Sequence, residues 1–148
     1  MGTSPLDQKH VTEALPPVAL AISLIDCINR CDLATLSDLL SNDHRLEVFD
    51  EEPVIGKHAN TVAWNGYFEM FPAYVIHPRQ IAEHGDTVAI LGHTTGSHLG
   101  LRDEDERKLT LIWLVDTRDG YVTRWQLIED NAENRGAWGL GSPPPRRS

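Results

Sequence analysis

The residues best suited to acid–base chemistry are Asp50, His93, His98 and Glu129. A histidine in an apolar pocket titrates near neutrality and can pass protons. A carboxylate can serve as a base once burial raises its pKa toward the working pH. Glu129 closes the segment Trp125-Gln126-Leu127-Ile128-Glu129. Because strand side chains alternate, Trp125, Leu127 and Glu129 share one face, the pattern of a pocket lining that carries an acid. Its bland counterpart is a rim carboxylate paired with Arg124 or Arg135. Asp50 heads the acidic run Asp50-Glu51-Glu52, which also reads as a solvated loop.

The aromatic supply is concentrated. Trp64, Tyr67, Phe68 and Phe71 recur at the spacing of one helical face. Trp113 and Trp125 stand on neighbouring strands. Core packing accounts for several of these, yet with Leu127 they would also line a site for a flat apolar ligand, with Tyr67 offering a hydroxyl. His10, His44 and His58 read as exposed, and His77 before Pro78 as an edge residue. No spacing among the histidines, nor Cys27 and Cys31 four apart, makes a metal set, so neither metal nor organic cofactor is expected. Both cysteines read as small buried side chains.

These groups need a scaffold, and the order of elements supplies one. A short helix is predicted over 7–15, stopped by Pro16-Pro17. A longer one runs from Val18 to Arg30, and a second from Leu33 to Leu40, capped by Asp32 and ended by Ser41 to His44. A short strand, Leu46 to Phe49, leads into the acidic loop. The aromatic helix spans Lys57 to Phe71, opened by Gly56 and closed by Pro72. Strands follow at Tyr74–Glu83, Thr87–Leu99, Lys108–Asp116 and Tyr121–Asp130. Pro78 marks an edge or a bulge in the first. His84-Gly85-Asp86 and Asp119-Gly120 are the hairpin turns. Leu109 to Val115 is nearly all apolar, so both its faces should be covered. Arg102 to Arg107 reads as a charged, solvated loop, and Asn131 to Leu140 as a short terminal helix. Helices gathered on one side of a mostly antiparallel sheet make an α+β domain. A bent sheet over helices leaves a conical hollow.

The 148 residues suit one domain, divided as an extension over 1–16, the folded domain over 17–140 and a disordered tail over 141–148. A net charge of −9 argues against nucleic acid, and basic residues cluster only at Arg146-Arg147. The apolar run Pro16 to Ile25 is far short of a membrane span of about 20 residues. With no signal-peptide pattern, a reducing cytoplasm is the expected compartment.

Four segments resemble the nuclear transport factor 2-like superfamily, in particular its SnoaL-like branch: AISLIDCINRCDLATLSDLLSND, VIGKHANTVAWNGYFEMFP, TTGSHLG and DTRDGYVTRWQLIED. The first is similar to the family's opening helix pair, and the second to its Gly-Arg/Lys helix start. The third is similar to the Thr-Gly-x-His-x-Gly strand of SnoaL-like cyclases, the fourth to the closing hairpin. The resemblance implies a cone-shaped fold, a curved, mostly antiparallel sheet packed on three helices, and a homodimer through the outer sheet face.

The known chemistries of that cone do not carry over residue by residue. The tyrosine of ketosteroid isomerases falls at Leu24, their later acid near Ile112 and their base near Val48, two residues from Asp50. The Asp-Arg-Asp set of limonene-epoxide-hydrolase-like enzymes falls at Leu127, Gly92 and Thr94. The cyclase aspartate falls at Ile112 or Trp113, while His98 matches the motif histidine. Strand parity favours His93 in the cavity and the motif favours His98, because five residues separate them unless Gly92 or Gly96 makes a bulge. The expectation is cofactor-free isomerisation, cyclisation or dehydration of a small isoprenoid, steroid or polyketide-like compound, the alternative a non-catalytic binding module. The test is whether Asp50, a histidine and Glu129 converge on one cavity point.

Overall fold

A computed structural model describes residues 15–141. The helix expected over 7–15 and the tail beyond Gly141 lie outside the described residues. Helix α1 (Pro17–Asn29) starts on Pro17, whose missing N–H costs nothing in a first turn. It buries Leu20, Ala21, Leu24, Ile25, Cys27 and Ile28 along one face. Asp32 caps α2 (Leu33–Leu39) by accepting the Thr35 N–H at 3.2 Å. Cys31 sits between these helices, exposed and at φ 56°. The expectation that it is buried therefore fails: α1 ends before it, and the residue falls in the turn between the helices.

Strand β1 (Leu40–Val48) begins six residues earlier than its apolar residues indicate. It takes in Ser41 to His44, expected to end α2. The cause is pairing: β1 lies parallel to β6 (Tyr121–Glu129), with a register shift between Leu40 and Arg45. That pairing buries His44 completely, where exposure was expected, and brings its Nδ1 within 2.8 Å of the Val122 carbonyl oxygen. β2 (Val54–Ile55) flanks β1, and Gly56, at φ 105°, opens α3 (Lys57–Met70).

The remaining strands form an antiparallel meander: β3 (Val75–His84), β4 (Thr87–Thr95), β5 (Leu111–Arg118) and β6. The six-stranded sheet runs β2-β1-β6-β5-β4-β3, so the meander is extended by a parallel neighbour. Pro78 lies on the edge strand at a register shift, where no ladder donor is required. Opposite it, a Cβ on Gly92 would meet the His77 carbonyl oxygen at 2.3 Å. Asp119 and Gly120 both take positive φ, 54° and 84°, and close the β5–β6 hairpin.

Both faces of the sheet are covered. Trp113, Val115, Trp125, Val88 and Ile90 pack against α1, α2 and α3. On the outer face Ala89, Leu91, Ile112 and Leu114 are covered by Trp138 and Leu140, which follow the short helix α5 (Ala132–Ala137). This strap is anchored by Gly141 N–H donating to Gln80 Oε1 at 2.8 Å, and by a 2.6 Å contact between His84 Nε2 and the Trp138 carbonyl oxygen. The segment expected as a solvated loop holds a single helical turn, α4 (Asp103–Glu106), whose last residue is 1% exposed. No helix among the described residues is long and apolar enough to cross a membrane.

Candidate functional site

A cavity of about 210 Å³ lies between the inner sheet face and α3. Trp64, Trp113 and Trp125 form its buried floor, and Leu46, Val48, Leu127 and Tyr74 its walls. Ala63 and Tyr67 on α3 and His98 complete the lining toward solvent. The aromatics arrive together because Trp113 and Trp125 share the inner face of adjacent strands, with ring centroids 6.3 Å apart. Trp64 and Tyr67 are one helical turn apart, their rings edge to face at 6.3 Å. Phe68 is 7% exposed and lies behind Trp64, at 5.7 Å, in the core rather than in the lining.

Among the described residues, the polar lining of this cavity is the Tyr74 phenol and one hydrogen-bonded pair. Tyr67 Oη lies 2.8 Å from His98 Nδ1 and accepts the His98 backbone N–H at 3.1 Å. With the imidazole proton on Nε2 the phenol O–H donates to Nδ1; with it on Nδ1 the direction reverses, onto the second lone pair of the phenol oxygen. Burial pushes the Tyr67 phenol above its ordinary pKa, so it stays neutral and acts as a donor or relay. Burial pushes the Tyr74 phenol up as well.

His98 is held there by Glu106, a residue expected in a solvated loop. The Glu106 carboxylate takes the Thr94 hydroxyl at 2.5 Å and the Ser97 N–H at 3.4 Å. It thereby fixes both ends of the turn that follows β4. Gly96 turns the chain at φ 70°, and a Cβ there would lie 2.3 Å from the Ala73 carbonyl oxygen. Within Arg102 to Arg107, four acids in a row carry no mark separating the buried one from its neighbours, so pattern alone cannot find Glu106.

The other expected acid–base groups do not join the pair, and the expected convergence is corrected. Asp50 is exposed, in a turn closed by Glu51 N–H to the Val48 carbonyl oxygen at 2.9 Å. Glu129 has the parity of Trp125 and Leu127 but is exposed at the end of β6, past the cavity. Arg135 pairs instead with Asp130 at 2.7 Å, and Arg124 with Asp116 at 3.0 Å. His93 stacks on His77 across the β3–β4 ladder, ring centroids 4.5 Å apart and 12° from parallel. Arg79 Nε donates to its Nδ1 at 3.2 Å. Burial, then the neighbouring His77 and the Arg79 and Arg107 cations, hold the His93 pKa below its ordinary value. No cluster of three or more metal-ligating side chains occurs among the described residues.

Comparison with known proteins places the fold. The model of the SnoaL-like domain matches residues 21–125. No curated protein matches the chain. Among solved structures, the fold is similar to that of an uncharacterized cystatin-fold protein from Novosphingobium aromaticivorans (TM-score 0.68, 15% identity, 78% of this chain and 100% of that one). It is also similar to a candidate polyketide cyclase from Sinorhizobium meliloti (TM-score 0.63, 22% identity, 77% and 95%). A third likeness is to TerC, co-crystallized with polyporic acid (TM-score 0.61, 16% identity, 82% and 97%). These identities speak for the fold alone. With its family model covering most of the sheet and most of the three principal helices, the chain belongs to the SnoaL-like family of the nuclear transport factor 2-like superfamily.

Proposed function

We propose that this protein binds a small, flat, largely apolar compound in its cone and moves a proton on it without a cofactor, as in isomerisation, cyclisation or dehydration. The observation that carries this reading is the Tyr67–His98 hydrogen bond set into an otherwise aromatic and aliphatic wall. A proton leaving the ligand can land on the free lone pair of the Tyr67 oxygen while the phenol's own proton passes to His98 Nδ1. The result is a neutral phenol, an imidazolium and an anionic ligand; the reverse transfer delivers the proton to another ligand atom. The turn bonded to Glu106 keeps the imidazole in line.

Size narrows the ligand class. At interior packing density a cavity of about 210 Å³ takes on the order of ten to twelve non-hydrogen atoms. That suits a monoterpene or a bicyclic aromatic better than a whole steroid. Of the comparisons, the candidate polyketide cyclase and the polyporic acid complex favour the same chemistry of flat, conjugated compounds.

The experiment is ligand discovery by native mass spectrometry and thermal shift against lipophilic metabolites, followed by turnover of each hit. Tyr67→Phe and His98→Gln should retain binding and lose about 10²–10⁴ in rate. Asp50→Asn, which changes a solvent-exposed turn, should leave the rate alone.

A second reading, a non-catalytic binding module, is favoured by one observation: Asp50, His93 and Glu129 all lie outside the cavity. Hits that bind and are never converted would select it. For the homodimer, we propose pairing through the polar part of the outer sheet face, around Arg45, Glu47, Arg124 and Gln126. The apolar part of that face is already covered by Trp138 and Leu140. Sedimentation of wild type against an Arg124→Glu variant tests it.

A further inference from the structure

Besides the Tyr67–His98 pair, the cavity lining carries a second phenol, that of Tyr74. Its backbone is held from two sides. The Tyr74 N–H donates to the Phe71 carbonyl oxygen at 3.1 Å, closing the turn after α3. Two residues on, the Asn29 side chain of α1 grips both backbone groups of Ile76, at 3.0 and 2.8 Å. Ile76 is buried in the main core, and alternation puts Tyr74 on the same inner face. The Tyr74 ring meets that of Tyr67 edge to face, centroids 4.9 Å apart. Its hydroxyl is left over. Burial, then Tyr67 and the Glu106 carboxylate, push this phenol above its ordinary pKa, and no hydrogen bond pulls it back, as bonds do at Tyr67. A buried tyrosine hydroxyl ordinarily finds a partner. Yet Tyr74 Oη is not among the sealed polar atoms without one, as His44 Nε2 and Asn60 Oδ1 are. An oxygen set this deep, unpartnered among the described residues but not sealed, opens on the space its side chain borders. That space is the cavity.

Resting on the proposed function of the cavity, we infer that the Tyr74 O–H donates to a carbonyl oxygen of the ligand, so that the substrate class is an enolisable ketone rather than a hydrocarbon. A hydrocarbon would leave this O–H without a partner against an apolar surface, whereas a ketone of the same shape satisfies it. In the reaction the C–H bond beside the carbonyl breaks and its electron pair forms the C=C bond. The carbonyl π pair moves onto oxygen, where negative charge develops. The proton goes to the Tyr67 oxygen as the Tyr67 proton passes to His98. Tyr74 keeps its own proton and holds the enolate oxygen by a hydrogen bond that strengthens as the charge grows. Two phenols thus divide the work: Tyr67 moves the proton and Tyr74 receives the charge.

The test compares wild type with Tyr74→Phe, which removes one oxygen and keeps the ring; a thermal midpoint no lower than that of wild type confirms that the variant is folded. Two probes of one shape, 2-tetralone and the hydrocarbon tetralin, are titrated by quenching of tryptophan fluorescence. Exchange of the acidic C–H protons of 2-tetralone in D₂O is followed by proton NMR. The variant should bind 2-tetralone about five- to tenfold more weakly, bind tetralin no more weakly, and exchange the bound ketone about 10²-fold more slowly. In wild type alone, the C=O stretch of bound 2-tetralone should lie below its position in hexane. Equal ketone-to-tetralin affinity ratios in the two proteins, equal exchange rates, or a wild-type stretch no lower than in hexane each overturn the inference while leaving the proposed function standing. If wild type binds neither probe, or binds 2-tetralone and exchanges it at the buffer rate, the proposed function fails and this inference with it.

Discussion

Glu106 and Thr94 are joined by a 2.5 Å hydrogen bond inside the domain, twelve residues apart in sequence and on opposite sides of the turn that carries His98. The carboxylate is 1% exposed, and its second oxygen faces the Ser97 N–H at 3.4 Å. It holds in place the one imidazole among the described residues that lines the cavity. Without it the Tyr67–His98 distance has no fixed reference on the β4 side.

Glu106→Ala leaves the Thr94 hydroxyl and the Ser97 N–H without their partner in a buried place. The expected loss is about 2–3 kcal/mol of unfolding free energy. Glu106→Gln, which keeps the shape and one acceptor, should lose less. Urea denaturation with a common slope checks both; equal stability of Glu106→Ala and wild type would contradict this anchoring role.

His44 makes stability depend on acid. Burial holds its pKa below the ordinary histidine value, against smaller upward pulls from the Val122 carbonyl and Asp43. The folded pKa is thus depressed relative to the unfolded one, and the unfolded chain binds the extra proton. Stability should therefore be full above about pH 6.5, the unfolded histidine value, and fall as the pH drops below it. His93, shifted the same way, adds to the slope. His44→Gln should flatten the dependence below about pH 6.5, measured by chemical denaturation at each pH. An unchanged slope in that variant would refute the assignment.

Gly92 is required by contact rather than by conformation. A Cβ there would overlap the His77 carbonyl oxygen at 2.3 Å, where neither backbone can yield without parting β3 from β4. Gly92→Ala should cost about 2–4 kcal/mol. Gly66, whose added Cβ meets nothing within 4 Å, should gain slightly from alanine in the middle of α3. Thermal midpoints of the two variants should move in opposite directions.

The strap over the outer face contributes to stability in its own right. Leu140 is 6% exposed and closes a cluster with Ala89, Leu91, Ile112 and Leu114. Leu140→Ala should cost about 2–3 kcal/mol, within the range for buried leucines. A loss under about 0.5 kcal/mol would mean that the strap is not seated in solution.

Much of this architecture is legible in residue patterns, and the exceptions share a cause. The apolar run and Asp119-Gly120 mark the β5–β6 hairpin, and the aromatic stripe marks α3. Both signals are local. The full length of β1 is not legible, because Ser41 to His44 owes its strand state to a partner, β6, some eighty residues later; nothing in that segment alternates between apolar and polar. Glu106 is hidden for the same reason, since its partners belong to β4 and the turn after it. The choice between His93 and His98 depends on where β4 ends. Parity holds only within a strand, and β4 stops at Thr95, before Gly96 turns the chain. Past that point face counting no longer applies, and His98 swings to Tyr67 while His93 stacks outside. The exposed positions of Asp50 and Glu129 follow likewise from where strands end, which side-chain alternation cannot show.

The central claim is that a proton can pass between a bound apolar compound and the Tyr67–His98 pair. Its most direct measurement is exchange of the acidic C–H protons of 2-tetralone, a bicyclic ketone of cavity size, for deuterium in D₂O, followed by proton NMR. Wild type should speed this exchange at least about 10²-fold over buffer, and Tyr67→Phe and His98→Gln should return it to near the buffer rate while still binding the ketone. Exchange at the buffer rate in wild type, with 2-tetralone bound and quenching the cavity tryptophans, would contradict the claim.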